Sequence, residues 1–250
     1  LNGRLSINII SSEMPGELLN GPSRYARTLE TMTALRTLLS GQRLDIDGEH
    51  LQLHVDAPRI CRDTPQTPQF YFGGLSTEAR DVAAAGADVY LMWPDTEDVI
   101  AETIADLQHR ATAYGRSLKF GYRVHVVVRE TEDEARSAAA HLISAVDAAT
   151  GDAIRSRSLD STSVGVRRQA ELRESASSDG FVEPQLWTGI GKARSGCGAA
   201  IVGTPQQVID KIHRYEAMGI EAFIFSGYPH KDEAERFADL VLPHLSHGPL

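Results

Sequence analysis

The chain has 250 residues, 42% of them hydrophobic and 24% charged, which is typical of a globular protein with one large or two small domains. Its formal net charge of −9 argues against a nucleic-acid-binding surface, which needs clustered lysine and arginine side chains. No apolar run approaches the roughly 18 residues of a membrane span, and no secretory signal is visible. We therefore expect a protein that binds neither nucleic acid nor membrane.

The cysteines indicate the redox setting. There are two, Cys61 and Cys197, and their spacing matches neither a disulfide framework nor a metal-binding motif. We expect both to be buried free thiols in a reduced, cytoplasmic protein without a metal site.

Strand-like and helix-like segments alternate in the first half of the chain. An apolar strand at 4–10 precedes a polar loop and a helix that begins near Ser23. Segment 43–55 alternates in hydropathy about an Asp-Gly dipeptide and predicts a β-hairpin turning at Asp47 and Gly48. The elements that follow are a strand at 69–73, a helix at 77–85, a strand at 88–93 and a helix from Thr96.

The second half continues the alternation around an irregular segment. A strand at 120–128 leads into Thr131 and Glu134, which predict a capping box at a helix start. Residues 151–187 are polar and aperiodic, and we interpret them as an insertion. The remaining predicted elements are a capped helix starting at 204–207, a strand at 222–226 and a helix at about 231–245.

This order of elements predicts an α/β fold with a parallel sheet covered by helices, in one domain spanning 1–250. Five strands have the character of barrel strands, whereas a TIM (β/α)8 barrel has eight. The pattern is therefore consistent with an open α/β sheet, or with a barrel that is N-terminally incomplete in this sequence.

Two basic side chains interrupt an otherwise apolar strand, in the stretch FGYRVHVVVRET. Because side chains alternate along a strand, Arg123 and His125 share one face, and Tyr122 and Val124 share the other. Burying two unpaired basic groups costs several kcal/mol. Either they form a satisfied structural pair, for example with a carboxylate of the next strand, or they belong to a functional site.

Polar and aromatic residues also follow other predicted strands. The segment SGYPH, with Tyr228 and His230, follows the strand at 222–226, as expected of a βα active-site loop or of a plain turn. YFGGLST ends at a helix start that could bind a phosphate or simply cap the helix. Trp93 ends another strand, where it could form a pocket wall or cover the core.

A glycine-rich, basic segment lies at 189–203 and contains Lys192 and Arg194. It matches neither the dinucleotide-binding nor the phosphate-loop pattern. It predicts a mobile loop that closes over an anion, or a flexible surface linker. No hydrolase motif accompanies it.

Taken in order, YFGG, DVYLMW, FGYRVHVVVRET, PQLWTGIGKARSGCGAAIVG and FIFSGYPH resemble the alkanesulfonate monooxygenases of the bacterial-luciferase-like flavin-dependent oxygenases. The resemblance covers essentially the whole chain. It implies a TIM barrel of the luciferase-like type with an insertion at 151–187. It also implies that about three βα units precede 1–10, so that the sequence is N-terminally incomplete.

The resemblance implies a two-component monooxygenase. Reduced FMN (FMNH2) from a separate flavin reductase would react with O2 and cleave the C–S bond of a small anionic organosulfur compound, releasing sulfite and an aldehyde. Arg123 and Arg194 would bind the sulfonate. His125 would transfer a proton or stabilise charge at the flavin, and Tyr228 would donate a hydrogen bond.

Further roles follow from the same resemblance. Trp93 and His230 would contact the substrate, and the protein would be a homo-oligomer, either a dimer or a tetramer. The FMN phosphate would lie near the helix start after YFGG. The residues expected to bind the cofactor are Tyr25, Gly74, Ser76 and Thr77.

The sequence departs from the family at two places, which puts the phosphate contacts and the exact substrate in question. Leu75 stands where the family has serine, and Gly21 and Pro22 stand where a histidine is usual. Alternatives are a luciferase-like oxygenase or deazaflavin-dependent oxidoreductase for another substrate, and a non-catalytic flavin- or anion-binding protein.

Overall fold

The computed structural model describes residues 5–11, 17–65, 67–157, 163–194 and 196–248. Contacts within the chain group it into two compact units. The first comprises 1–91 with 105–119, and the second comprises 92–104 with 120–250.

The elements in the first 113 residues are β1 Ser6–Asn8, α1 Gly21–Leu39, β2 Leu44–Asp47, β3 Gln52–Val55, α2 Arg59–Asp63, β4 Gln69–Phe72, α3 Thr77–Gly86, β5 Val89–Met92 and α4 Glu97–Ala113. The first unit is built on three parallel strands of this set. β1 pairs with β4, and β4 pairs with β5, with Ile7 opposite Phe70 and Tyr71 opposite Val89. Helices α1 and α3 pack so closely that a Cβ on Gly86 would lie 2.9 Å from Met32 Sδ.

The predicted hairpin is confirmed, but its turn differs from the prediction. Asp47 pairs with Gln52, so a four-residue loop connects β2 and β3 instead of a tight turn at Asp47 and Gly48. The physical reason is Glu30 of α1, whose carboxylate accepts hydrogen bonds from three successive loop amides, at 2.9, 3.0 and 2.8 Å. Wrapping the backbone around this carboxylate requires the longer loop.

The second unit centres on the ten-residue strand β6. It pairs in parallel with β10 on one side and β9 on the other, and β8 and β7 continue the sheet antiparallel. The elements are β6 Lys119–Val128, α5 Glu132–Leu142, α6 Ala148–Ser156, α7 Val164–Glu174, β7 Phe181–Glu183, β8 Leu186–Trp187, β9 Ala200–Gly203, α8 Pro205–Ala217, β10 Ile220–Ser226 and α9 His230–Leu240.

The helix starts of this unit follow the sequence signals. Thr131 and Thr204 both form complete capping boxes, with Glu134 and Gln207 as their partners. The final helix is shorter than the prediction of about 231–245. It ends at Leu240, and a 3₁₀ turn Leu242–His244 follows, because proline within that turn has no N–H to continue the α-helix.

Two further predictions were wrong. Segment 151–187 is not aperiodic: it contains part of α6 and all of α7, β7 and β8. β9 was missed because its four residues are the last four of the glycine-rich segment 189–203. Among the described strands, β9 is a sixth one with parallel pairing.

Both thiols are free, but only Cys197 is buried, whereas Cys61 is half-buried.

Candidate functional site

β6 brings Arg123 and His125 to the same face of the sheet. In parallel pairing, Arg123 lies opposite Ile224 of β10, and His125 lies opposite Ser226 of β10 and Ala200 of β9. None of these strand neighbours is a carboxylate. One alternative was that Arg123 and His125 form structural contacts with a carboxylate of the next strand. The strand neighbours of these two residues offer no such carboxylate.

The opposite face of β6 packs on helices. The Tyr122 ring lies 4.4 Å from the ring of Tyr215 on α8, and its hydroxyl donates to that of Tyr215 at 3.1 Å. Further along the Arg123 face, Val127 joins an apolar cluster with Ala135 of α5 and Trp187 of β8. Beyond His125, toward the end of the strand, this face is therefore apolar.

His125 is almost completely buried, with 2% of its surface exposed. Neither ring nitrogen has a hydrogen bond of normal geometry to any described residue. The pKa of His125 is lowered from 6.5 to about 4, first by burial and then by the nearby charges of Arg194 and Arg123, while backbone groups of Cys197 and Ser226 oppose them. The imidazole is therefore neutral near pH 7, with one N–H donor and one acceptor nitrogen.

Arg123 provides unused donor capacity beside this ring. Its Nε is buried and has no hydrogen-bond partner in the described part of the chain. Its carbonyl oxygen accepts from the thiol of Cys197 at 3.3 Å. Burial raises the pKa of Cys197 to about 11, so this sulfur stays protonated as a donor.

The glycine-rich segment and the loop after β10 meet at Arg194. Its Nη1 donates to the Tyr228 hydroxyl at 2.7 Å. The Tyr228 ring lies 5.5 Å from the ring of His125 and 4.7 Å from that of His230, which is exposed. The structure therefore brings together Arg123, His125, Arg194 and Tyr228, with His230 next to Tyr228.

Trp93 packs against the same glycine-rich segment. Cβ atoms built on Gly165 and Gly196 would lie 3.1 and 3.4 Å from its indole ring. Gly196 also has a φ of +82°, which favours glycine. Trp93 thus contacts the loop that carries Arg194, and its predicted role as a wall for substrate stays a prediction.

Sequence reasoning missed the polar side chains of α7. Gln169 is buried and bonds the backbone at Pro94 and Gly198. Its neighbour Arg168 forms two hydrogen bonds with buried Asp95, at 2.6 and 2.7 Å. No sequence signal could have found these contacts, because they join residues 29 to 75 positions apart.

The residues predicted to hold the cofactor phosphate come together in the first unit. Ser76 caps α3 by accepting from Ala79 N at 3.2 Å, and Thr77 begins the helix, exposed. A Cβ on Gly74 would lie 2.7 Å from Ala79 Cβ and 3.8 Å from the Tyr25 hydroxyl. The close approach at Gly74 therefore leaves no room for a side chain at this turn.

This donor set fits a phosphate. The first amides of a helix lack intrahelical partners, and the helix dipole favours an anion there. Ser76, although it accepts in the cap, still has its hydroxyl hydrogen to donate, as do Thr77 and Tyr25. The acidic residue of the first turn, Glu78, opposes an anion. The three hydroxyl groups and the first amides of α3 outnumber that single exposed carboxylate.

Two other kinds of site were searched for in the described ranges. They contain no group of three or more histidine, cysteine or acidic side chains arranged for a metal ion. No described helix combines the length and apolar character that crossing a membrane requires.

Comparison with known proteins places these residues in context. The family described as luciferase-like monooxygenase matches residues 1–222. A sulfoquinovose monooxygenase of Novosphingobium aromaticivorans is 62% identical over 248 residues, which are 99% of this chain and 68% of that protein. A sulfoquinovose monooxygenase of Agrobacterium fabrum is 49% identical over 247 residues, 98% of this chain and 64% of that protein.

Solved structures share the fold. Long-chain alkane monooxygenase LadA superimposes with a TM-score of 0.72 at 21% identity, over 97% of this chain and 62% of its own. EDTA monooxygenase EmoA from Chelativorans sp. BNC1 gives 0.73 at 17% identity, over 97% and 66%. The chain thus spans less than two thirds of these structures. The similarity confirms the predicted α/β fold of the luciferase-like TIM-barrel type.

Proposed function

Because the chain belongs to the luciferase-like monooxygenase family, we propose that it is the larger part of a flavin-dependent monooxygenase that oxidises a small sulfonate. The observation that supports this most strongly is the buried, neutral His125 near Arg123 and Arg194. The Nε of Arg123 is buried and has no hydrogen-bond partner in the described ranges, so this guanidinium offers a charged donor that an anionic substrate would use. A sulfonate is such an anion at every physiological pH.

The two arginines would bind the sulfonate. Guanidinium groups donate from a planar fork that matches sulfonate oxygens, and charge-assisted bonds in a water-poor site are strong. Arg123 approaches from β6 and Arg194 from the glycine-rich segment, so the anion would be held from two elements. Losing either arginine would weaken binding and misplace the C–S bond.

His125 and Tyr228 would handle protons. A neutral imidazole has an acceptor nitrogen that removes a proton from the substrate carbon and a donor nitrogen that holds a developing negative charge. The oxygen of Tyr228 already accepts from Arg194, so its own hydrogen is available to substrate. Trp93 would help to exclude water.

The cofactor phosphate would bind at the start of α3, through Tyr25, Gly74, Ser76 and Thr77. When bound, reduced FMN supplies the two electrons that, with O2, convert the C–S bond into an aldehyde and sulfite, the second oxygen atom leaving as water. A separate flavin reductase would deliver the reduced cofactor.

For the substrate, we propose a sulfonated sugar such as sulfoquinovose over a simple alkanesulfonate. Two relatives named sulfoquinovose monooxygenase are 62% and 49% identical to this chain. A sugar sulfonate adds hydroxyl groups that need hydrogen-bonding partners, and the exposed His230 beside Tyr228 offers one. Dimeric or tetrameric assembly and a cytoplasmic location stay predictions.

The function is tested on the full-length protein with reduced FMN, O2 and a panel of sulfoquinovose and alkanesulfonates. We expect release of sulfite, with the highest kcat/KM for sulfoquinovose. Arg123→Met should lower kcat/KM about 100-fold or more, since it removes a charge-assisted contact. Arg59→Met, at an arginine whose side chain is 87% exposed, is the matched control.

Absence of sulfite with every substrate, together with no binding of reduced FMN, would contradict the proposal. Binding of a reduced deazaflavin in preference to reduced FMN would support the deazaflavin alternative. Flavin binding without oxidation of any substrate would instead support a non-catalytic binding protein.

A further inference from the structure

Helix α7 lies within the segment predicted as an insertion, and three of its side chains hold the segments around the candidate site. We propose that Gln169 is a positioning residue that fixes the loop carrying Arg194 to the segment carrying Trp93, and thereby sets the anion-binding geometry of the site. This inference rests on the proposed function, because it assigns a role in the same site.

Both polar atoms of the Gln169 side-chain amide form hydrogen bonds. Its Nε2 donates to the carbonyl oxygen of Pro94 at 2.7 Å, and its Oε1 accepts from the amide of Gly198 at 3.0 Å. The side chain is buried, with 6% of the residue exposed. A buried amide with two good hydrogen bonds holds its partners in place, because breaking either bond leaves an unsatisfied polar group.

The neighbours of Gln169 hold the same two segments. Arg168 forms its two bonds with Asp95, the residue after Pro94. One turn later, Arg173 donates to the carbonyl oxygen of Gly191 at 3.2 Å. The amide of Gly191 in turn donates to the carbonyl oxygen of Gly198 at 3.1 Å, which closes the base of the loop.

The loop between these two glycines carries the site contacts. Arg194 reaches Tyr228 from it, and Cys197 donates from it to the carbonyl oxygen of Arg123. Gln169 bonds the residue next to Cys197. A displacement of about 1 Å at the loop base would therefore move the Arg194 guanidinium relative to His125, and errors of that size are costly in a catalytic site.

The absence of a side chain at Gly198 favours its contact with Gln169. A Cβ on Gly198 would lie 3.3 Å from Oε1 of Gln169, tighter than ordinary contact. A side chain at this position would therefore displace the Gln169 amide by a few tenths of an ångström.

The test uses Gln169→Met in the full-length protein, a change that keeps the length and volume of the side chain but removes both hydrogen bonds. We expect the pKa of His125, measured by NMR titration and assigned with His125→Gln, to rise from about 4 toward 6.5 as Arg194 moves away and water enters. We also expect KM for the sulfonate to rise about tenfold or more, with a smaller change in kcat.

Gln206→Met is the matched control, since Gln206 is exposed at the start of α8 and bonds only Asp210 among the contacts described. It should leave both measurements unchanged. Gln169→Met with an unchanged pKa of His125 and an unchanged KM, but a lower free energy of unfolding, would overturn the proposal in favour of a purely structural role.

The two readouts separate this inference from the proposed function. If the wild-type protein releases no sulfite, the proposed function fails, and the NMR titration still decides the role of Gln169. If Gln169→Met does not fold, Gln169→Asn carries the same measurements, because its side chain is one methylene too short to span Pro94 and Gly198.

Discussion

His125 links the chemistry of the site to the stability of the fold. A histidine in the unfolded chain takes up a proton near pH 6.5, whereas His125 in the folded protein does so only near pH 4. Between these values the unfolded state binds more protons than the folded state. The folded protein must therefore lose stability as the pH falls through this window.

At the scale of this residue we predict that lowering the pH from 6.5 to 4 costs the wild type roughly 3 kcal/mol through His125, from the difference between the two pKa values. Above pH 6.5 the contribution does not change with pH. His125→Gln should lack this loss, because it has no proton to gain. Urea unfolding at several pH values measures it, and parallel pH profiles for the two proteins would contradict the prediction.

The residues of the proposed site were named from the sequence, but the contacts between them were not. Alternation along one strand placed Arg123 and His125 on the same face. It could not show that Arg194 and Tyr228 lie in hydrogen-bond contact, since 34 residues separate them. Nor could it show that no carboxylate stands opposite Arg123 or His125 on β9 or β10.

At the scale of elements, a buried lysine joins α8, α4 and β7. Lys211 has 1% of its side chain exposed and donates to Glu97 at 2.6 Å and also to Glu183. Arg214 donates to Glu97 from outside, with 42% of its side chain exposed. The two cations share one carboxylate but differ in burial, so they form a natural comparison.

We predict that Lys211→Met lowers the free energy of unfolding by about 1.5–3 kcal/mol, because the half-buried Glu97 and Glu183 lose charge-assisted hydrogen bonds. Arg214→Met should cost less than about 1 kcal/mol, as expected of an exposed pair. Chemical denaturation of both variants measures the difference. Equal losses of unfolding free energy in the two variants would contradict the prediction that the buried Lys211 contributes more than the exposed Arg214.

The elements were predicted well where their signals are local. The capping boxes at Thr131 and Thr204 fix helix starts because the cap residue and its partner lie three positions apart. α7 was missed although Ser163 caps it, with Val166 N donating to its Oγ at 3.1 Å. The buried face of α7 includes Gln169, a polar residue whose burial depends on distant backbone groups. The sequence of α7 therefore lacks the apolar periodicity that would have predicted a helix.

At the scale of the whole molecule, carboxylates with lowered pKa values are found in both units. For Glu97 and Asp106 burial raises the pKa, but hydrogen bonds from basic side chains outweigh it. For Glu132, hydrogen bonds from Gln207 and then Arg136 lower the pKa. Such groups stabilise the fold when ionised, and this contribution is lost on protonation.

We therefore predict that these carboxylates contribute no pH dependence between pH 8 and about 5. Stability should then fall as the pH drops below their ordinary values of 3.8 to 4.5 and through the lowered values of the folded state. Urea unfolding midpoints of the His125→Gln variant at pH 7, 5 and 3 measure the stability lost through these carboxylates without the contribution of His125. A midpoint at pH 3 equal to that at pH 7 would rule it out.

The sequence by itself determined the α/β class, most element positions and the capped helix starts, because periodicity and capping act within a few residues. Tertiary structure alone decided which residues meet. The burial of His125, the contact of Arg194 with Tyr228 and the hold of Gln169 on Pro94 and Gly198 depend on strand pairing and helix packing between distant segments. Proton affinity and anion affinity arise from that three-dimensional proximity, which spacing along the chain does not encode.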